Sequence, residues 1–239
     1  MINPKKSLSQ NFLTDKNISN KIVDQTIIKN KFVLEIGPGY GFLTDNILER
    51  NPKKIYLIEK NFKLKKKLYE KYKKNNKIEI IGDDILNANF DKFKNLIVIS
   101  NLPYNISSKI ILYLFNFSKN IDEMIFMIQK EMSLKFDYSL PKMNKYKFLT
   151  KIITNYSRCF DVSSNVFYPI PKVRSTVVKF KFKKNKIDLN KANKFSNMIF
   201  KNVRKKILNN VKLKLNNKLF NKRVNEINID ELLTIYDFF

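Results

Sequence analysis

The sequence has no histidine, no tryptophan, a single cysteine and four glycines in 239 residues. Without histidine there is no Ser-His-Asp or Cys-His triad, no imidazole-bound zinc and no imidazole acid–base catalyst. Cys159 alone makes neither an internal disulfide nor a thiolate metal cluster, and it reads as a small buried residue. No run approaches the ~18 consecutive apolar residues of a membrane-crossing helix. The opening MINPKKSLSQNFL has neither the apolar stretch nor the cleavage signature of an export signal. The expectation is a cytoplasmic chain that binds no metal and meets no membrane. Acidic residues are also scarce, 21 Asp and Glu against 47 Lys and Arg, for a formal net charge of +26. A globular chain this basic is usually built for a polyanion. Part of the excess reflects composition, because the 32 asparagines and abundant Lys and Ile are what AT-rich coding favours. Where the charge sits therefore matters more than its sum.

What is present is a hydrophobic share of 44%, enough to build a core. Short apolar runs alternate with amphipathic stretches. Phe32–Ile36, Lys54–Glu59, Ile78–Ile81, Leu96–Ser100 and Met124–Ile128 read as buried strands. Gly41–Arg50, Phe62–Lys74 and Lys109–Phe117 read as helices between them. This alternation predicts an α/β fold with a parallel sheet covered on both faces. Phe148–Val162 and Ser175–Phe182 read as two longer strands joined by FYPIPKV, an antiparallel pair at a sheet edge. From Lys191 to Arg223 there are eleven Lys and Arg and no acid. Phe195, Ile199, Val203, Ile207, Val211 and Leu215 recur there every fourth residue, the stripe of one or two basic amphipathic helices. Ile229–Tyr236 reads as a short helix opened by Asp230. A link around Lys183–Leu189 predicts two domains, 1–185 and 186–239.

Three of the four glycines, Gly37, Gly39 and Gly41, fall within EIGPGYG, after a strand and before a helix. Glycine there lets the backbone turn sharply and approach a ligand without a Cβ between. A dinucleotide fingerprint would need glycine where Phe42 stands, and a phosphate-binding P-loop would need Gly-Lys-Ser/Thr. E-x-G-x-G-x-G is the pattern of S-adenosylmethionine (AdoMet) methyltransferases. Such enzymes place an acid at the end of the next strand to accept from the ribose diol, and Glu59 stands there. After the third strand comes Gly82-Asp83-Asp84, where a carboxylate can accept from the adenine amino group. Asn101-Leu102-Pro103-Tyr104 follows the fourth strand and matches the [DNS]-[IPL]-P-[YF] signature of methyltransferases acting on planar exocyclic amines. The chemistry explains the residue types. An adenine amino group is a poor nucleophile because its lone pair is delocalised into the ring. Acceptors on its N–H groups, the Asn101 side-chain oxygen and the Leu102 carbonyl, favour a pyramidal nitrogen and spread the developing positive charge. Pro103 fixes the turn and Tyr104 offers a stacking face. The proton leaves after the displacement, so no histidine is needed.

In order along the chain, SLSQNFL (7–13), EIGPGYG, Glu59, Asp84-Ile85-Leu86, NLPYNIS (101–107), Gln129-Lys130-Glu131, FYPIPKV (167–173) and VRKKILNN (203–210) resemble the ribosomal RNA adenine dimethyltransferases. The resemblance runs almost end to end. It implies a Rossmann-like AdoMet-dependent methyltransferase sheet with a small α-helical C-terminal domain. It also implies dimethylation of two adjacent adenosines near the 3′ end of small-subunit rRNA, during ribosome biogenesis, by a chain expected to act as a monomer. By the same resemblance Asn11 and Leu13 close over AdoMet, with Gly37 and Gly39 contacting it. Glu59 takes the ribose, and Asp84 rather than Asp83 the adenine. Asn101 meets the methionine end and the target amine, and Phe167 pairs with Tyr104 around the flipped base. Arg204, Lys205 and Lys206 fall in the segment expected to contact RNA. The sequence departs from the family pattern at Arg174, usually Asp, at Asn144–Lys147, where glycine usually follows the Tyr, and in a loose form of R-R-K-T-L near the end. Two other readings remain open at this point. One is a methyltransferase of the erythromycin-resistance type acting on large-subunit rRNA, and the other a non-catalytic RNA-binding assembly factor on the same fold.

Overall fold

The computed structural model describes residues 11–184, 187–211 and 218–239. Ser7–Gln10 of the first motif and Leu215 of the C-terminal stripe lie outside them. The chain divides into two units, Met1–Ser133 with Ser157–Phe182, and Leu134–Tyr156 with Lys183–Phe239.

The first unit is built on a sheet whose strands are β2 (Phe32–Ile36), β3 (Lys54–Ile58), β4 (Ile78–Ile81), β5 (Leu96–Asn101), β6 (Ile121–Gln129), β7 (Thr154–Val162) and β9 (Ser175–Phe182). Their order is β4-β3-β2-β5-β6-β9-β7. The first five are parallel, and β9 runs antiparallel to β6. The central strands are Val, Ile and Leu because both of their faces are covered. Val33, Ile55, Leu57, Val98 and Ile99 are fully buried. Helices α2 (Phe42–Glu49), α3 (Phe62–Tyr72) and α4 (Ser107–Phe115) are crossovers between parallel strands, while α1 (Lys16–Val23) precedes β2 and α5 (Lys130–Phe136) follows β6. Asp15 caps α1 and Asn61 caps α3 through side-chain oxygens that accept from first-turn amides. A two-stranded ribbon pairs β1 (Phe12–Leu13) with β8 (Phe167–Tyr168). Cys159 is half-buried on the core, and burial pushes its thiol up.

The strand order decides where a site can form. Proceeding from β2 the chain moves outward through β3 to β4, then returns to place β5 on the other side of β2. The carboxyl ends of β2 and β5 therefore lie side by side where the order reverses, the crevice that binds ligands in open α/β sheets.

Two sequence expectations are corrected here. Phe148–Val162 is not one strand, because Lys145–Ile153 forms helix α6 and only Thr154–Val162 is extended. Asn144 starts the helix by accepting from the Lys147 amide at 3.0 Å. Much of the run that looks like a strand is buried around that helix, at Phe148, Leu149, Thr150 and Ile153. The Phe148 ring packs 5.1 Å from Phe195 and 5.3 Å from Tyr236. That aromatic cluster is also why segment 134–156 belongs to the second unit, where the sequence reading made a single cut after residue 185.

The second correction concerns the basic stripe. Helix α7 (Leu189–Ile199) ends in a 3-10 turn at Phe200–Asn202, and α8 (Ile207–Val211) is a separate short helix. Val203, expected on the apolar stripe, is 39% exposed in the break. The last helix, α9 (Ile229–Asp237), opens on a reciprocal Asn228–Glu231 capping box rather than at Asp230. Among the described residues no helix is long and apolar enough to cross a membrane, and no group of three or more Cys, Asp and Glu gathers to hold a metal.

Candidate active site

In the first unit the ends of β2, β3 and β5 enclose a cavity of about 670 Å³, within the range of small-ligand sites. The glycine loop forms one wall. Gly37, Gly39 and Gly41 all have left-handed backbone, with φ of 61°, 61° and 77°. A Cβ on Gly39 would fall 2.9 Å from the Phe12 ring, and one on Gly41 would run into the Tyr72 hydroxyl. On Gly37 it would meet nothing, so close approach from the cavity side is open there. The loop is clamped from α3. The Tyr72 hydroxyl lies 2.9 Å from the Gly41 carbonyl and 2.7 Å from an Asp45 carboxylate oxygen, and Lys71 reaches the other Asp45 oxygen at 2.6 Å. Desolvation and the Asp45 carboxylate both hold the Tyr72 phenol well above its usual pKa.

Glu59 closes the next wall. One of its oxygens accepts from the Asn61 amide at 2.8 Å, the other from the Gly39 amide at 3.4 Å. Burial raises its pKa, and these two amides oppose the shift. Opposite, Asn101 and Leu102 come from the end of β5. The Asn101 side-chain amide donates to the Asn11 carbonyl at 3.0 Å. That bond fixes the side chain's sense, and its oxygen Oδ1 is buried with no partner among the described residues. A buried acceptor without a donor is costly. It belongs to a residue of the cavity wall, where a ligand's N–H or O–H could satisfy it. The Leu102 amide is tied to the Met127 carbonyl at 3.1 Å, which holds the turn on the sheet. Tyr104 is buried along the cavity, with its hydroxyl 2.6 Å from Ser175 Oγ. Burial raises its pKa too, so the phenol stays neutral.

The motifs meet although they are far apart in the chain. Thr14 donates to the Val166 carbonyl from both its amide and its hydroxyl, at 2.9 and 3.0 Å. Leu13 sits opposite Phe167 in the β1–β8 ribbon. Asn11, Leu13, Gly37, Gly39, Glu59, Asn101, Leu102, Pro103 and Tyr104 all line the one cavity. Two expected site residues do not. Phe167 is 2% exposed and packs in the core beside Leu13, because the ribbon register turns it inward. It stands behind the cavity wall and offers no open face to a base. Asp84 also lies outside the lining. One of its oxygens is 2.7 Å from Lys60 Nζ, and the other accepts from the Leu86 amide at 3.0 Å. The Lys60 ammonium first, and that amide second, hold the Asp84 carboxyl below its usual range. Arg204, Lys205 and Lys206 belong to the second unit, on an exposed turn between α7 and α8.

Glu35, the first residue of the glycine motif, was not singled out by sequence. It lines the cavity at 2% exposure and accepts from the Thr44 hydroxyl at 2.6 Å. Desolvation raises its pKa from 4.5 to about 8, and the Thr44 hydrogen bond only partly offsets this. The sign of the pH effect follows. Below about pH 4.5 the carboxyl is protonated in both folded and unfolded chains. As pH rises towards 8 the unfolded chain releases the proton and the folded chain keeps it, so stability falls. Glu35→Gln is expected to remove this penalty. Its gain over wild type should grow between pH 5 and pH 8, to about 4 kcal/mol at the upper end. Thermal unfolding across that range checks it, and parallel wild-type and variant curves would contradict it.

A model of the ribosomal RNA adenine dimethylase family matches residues 1–238. The chain belongs to that family. Within the dimethylases, it is 36% identical to the ribosomal RNA small subunit methyltransferase A of Mycoplasmopsis synoviae (strain 53), over 99% of this chain and 97% of that relative. It is 38% identical to the protein of the same name from Malacoplasma penetrans (strain HF-2), over 87% and 77%. The fold matches the crystal structure of the 23S rRNA methyltransferase ErmE, with a TM-score of 0.79 at 20% identity, covering 95% of this chain and 98% of that one. It matches a dimethyladenosine transferase from Plasmodium falciparum equally well, at 0.77 and 21% over 95% and 97%. These two likenesses establish the Rossmann-like methyltransferase fold that a dimethylase requires.

Proposed function

We propose that the protein uses AdoMet to dimethylate the 6-amino groups of two adjacent adenosines near the 3′ end of small-subunit rRNA, acting on immature small subunits in the cytoplasm as a monomer. The buried, unpartnered Asn101 Oδ1 in the wall of the glycine-loop cavity carries this reading. The residues fit the cofactor. The left-handed glycine loop leaves room above Gly37, and Glu59 presents carboxylate oxygens to a ribose diol. Asn11 and Leu13 flank the cavity from the N-terminal ribbon. Asp84, outside the cavity lining and ion-paired with the 76% exposed Lys60 side chain, is assigned the adenine amino group. AdoMet, when bound, supplies the electrophilic methyl group.

The chain's own part is to bind, orient and stabilise. Asn101 Oδ1 accepts one N–H of the target amine, and the Leu102 carbonyl is assigned the other. Each acceptor gains strength as the nitrogen becomes positive, so each favours the transition state over the ground state. Tyr104, held by Ser175, supplies the stacking wall, and Leu13 backed by Phe167 the apolar side. The amine's proton passes to water after transfer, without a base from the protein. After the first methylation one N–H remains for Asn101 to hold, which allows a second transfer. Labelled-methyl incorporation into unmethylated small subunits tests this directly. Saturation near four methyl groups per particle is expected, and saturation at one or two would contradict dimethylation of a pair.

RNA binding is assigned in part to the second unit, where Arg204, Lys205 and Lys206 sit exposed and Lys206 bridges Arg223. Changing the three to glutamine is expected to weaken RNA binding and flatten its salt dependence, by up to about 0.9 in log–log slope per lost phosphate contact. AdoMet affinity should not change. A salt slope equal to that of wild type would remove these residues from the interface. Deleting residues 191–239 is a poorer test, because it strips Phe195 and Tyr236 from buried Phe148.

A further inference from the structure

Helix α3 buries Leu64, Leu68 and Tyr72 and turns its other side chains to solvent. Between Asn61 and Asn76 the chain has seven lysines and one acid, Glu70. Glu70 is held by Lys73 at 2.8 Å, and Lys71 is committed to Asp45. Among the described residues Lys63 and Lys66 on the helix, and Lys74 just past its end, take part in no salt bridge and are exposed, so their charge faces outward. On the same helix Phe62 is 76% exposed and Tyr69 61% exposed. They stand seven residues apart, two helical turns or about 10 Å along one face. A shallow depression beside them is lined by Phe62, Lys63, Lys66, Lys67 and Glu70. Phe62 and Lys63 also border the candidate active-site cavity.

Two large aromatic rings left in water call for an explanation, since exposed apolar patches mark contact sites. Their setting among uncompensated ammonium groups narrows the partner. Cations spaced along a helix with aromatic platforms between them match a single-stranded polynucleotide, whose phosphates need charge and whose bases need faces to stack on. We propose that this face of α3 is a second RNA contact surface, carried by the methyltransferase unit and separate from the basic turn at 204–206. It holds unpaired rRNA that flanks the target adenosines at the mouth of the site. Lys63, Lys66 and Lys74 meet phosphates, and Tyr69 carries an unstacked base. This rests on the reading of the protein as an rRNA methyltransferase, and it adds a surface that the transfer chemistry does not require.

The test uses the full chain and a fluorescent RNA copying the 3′ end of small-subunit rRNA, titrated at several salt concentrations. Lys66 and Lys74 are changed together to glutamine, and Tyr69 separately to alanine. None of the three lines the cavity. The double variant is expected to bind about 10- to 30-fold more weakly at 0.1 M salt, with a log–log slope shallower by about 1.4. The Tyr69→Ala chain is expected to lose about fivefold or more with the slope unchanged. AdoMet affinity, measured on the same samples, should match wild type. Wild-type RNA affinity and slope in both variants would overturn the proposal and leave the function reading standing. So would a loss of AdoMet affinity as large as the loss of RNA affinity, because the helix itself would then have failed. Weaker binding to whole subunits with unchanged binding to the RNA would assign the face to a ribosomal protein and overturn it as well. A wild-type chain that neither binds nor methylates the RNA would overturn the function reading, and the surface with it.

Discussion

Asn101→Ala is expected to slow methyl transfer on the order of 30- to 1,000-fold while AdoMet still binds. The variant removes the one buried side-chain acceptor in the cavity wall that has no donor among the described residues. A positioned acceptor of developing charge contributes about 2–4 kcal/mol to transition-state stabilisation, which sets that range. The fold should tolerate the change. Asn101 gives up one hydrogen bond, to the Asn11 carbonyl, and the strand around it stays in register with β6. Rate and affinity separate because Glu59 and the glycine loop, not Asn101, form most of the cofactor wall. Single-turnover transfer, with AdoMet affinity measured alongside, checks both halves. Wild-type transfer in the variant would remove Asn101 from the chemistry.

The second large effect is expected at Gly41. Gly41→Ala should lower thermal stability by roughly 6–12 °C and abolish most AdoMet binding. Two penalties add. An alanine at φ 77° costs about 1–2 kcal/mol, and its methyl group would drive into the buried Tyr72 hydroxyl. That hydroxyl has no easy retreat, since it joins the Gly41 carbonyl to Asp45 and so ties the loop to α2 and α3. About 3 kcal/mol in a chain of this size corresponds to the stated shift. Gly37→Ala is the control. It has the same backbone strain and no clash, so it should cost less stability, yet it puts a methyl group into the cavity. A Gly41→Ala chain that melts with wild type would show that Tyr72 does not brace the loop.

The two cases also show what could be read from sequence. EIGPGYG, Glu59 and NLPY each sit at a strand end, where local rules apply: apolar run, turn residues, then helix. Their meeting follows from the reversal of strand order at β2 and β5, whereas the β-α alternation implied only a parallel sheet. Side-chain partners chosen across the fold were not legible. Tyr72 falls in the stretch that reads as a helix, Phe62–Lys74, and nothing local revealed that its hydroxyl would brace Gly41. Asp84 read as a free acceptor because Lys60 lies 24 residues away. Phe167 read as an open ring on a proline-rich loop until its pairing opposite Leu13 turned it inward. Phe148–Ile153 has strand-like composition, and the Asn144 cap with the Phe195–Tyr236 cluster made it helical. In each case a contact distant in sequence outweighed the local preference.

The central claim is that the protein dimethylates adenosines of the small subunit. Nucleoside mass spectrometry tests it most directly. Protein and AdoMet are incubated separately with small subunits and with large-subunit RNA, each from cells lacking these methylations. N,N-dimethyladenosine in the small-subunit sample alone is the result the account predicts. The same nucleoside in the large-subunit RNA alone would contradict it in favour of a resistance-type enzyme, and no product in either, with RNA still bound, would contradict it in favour of a non-catalytic assembly factor.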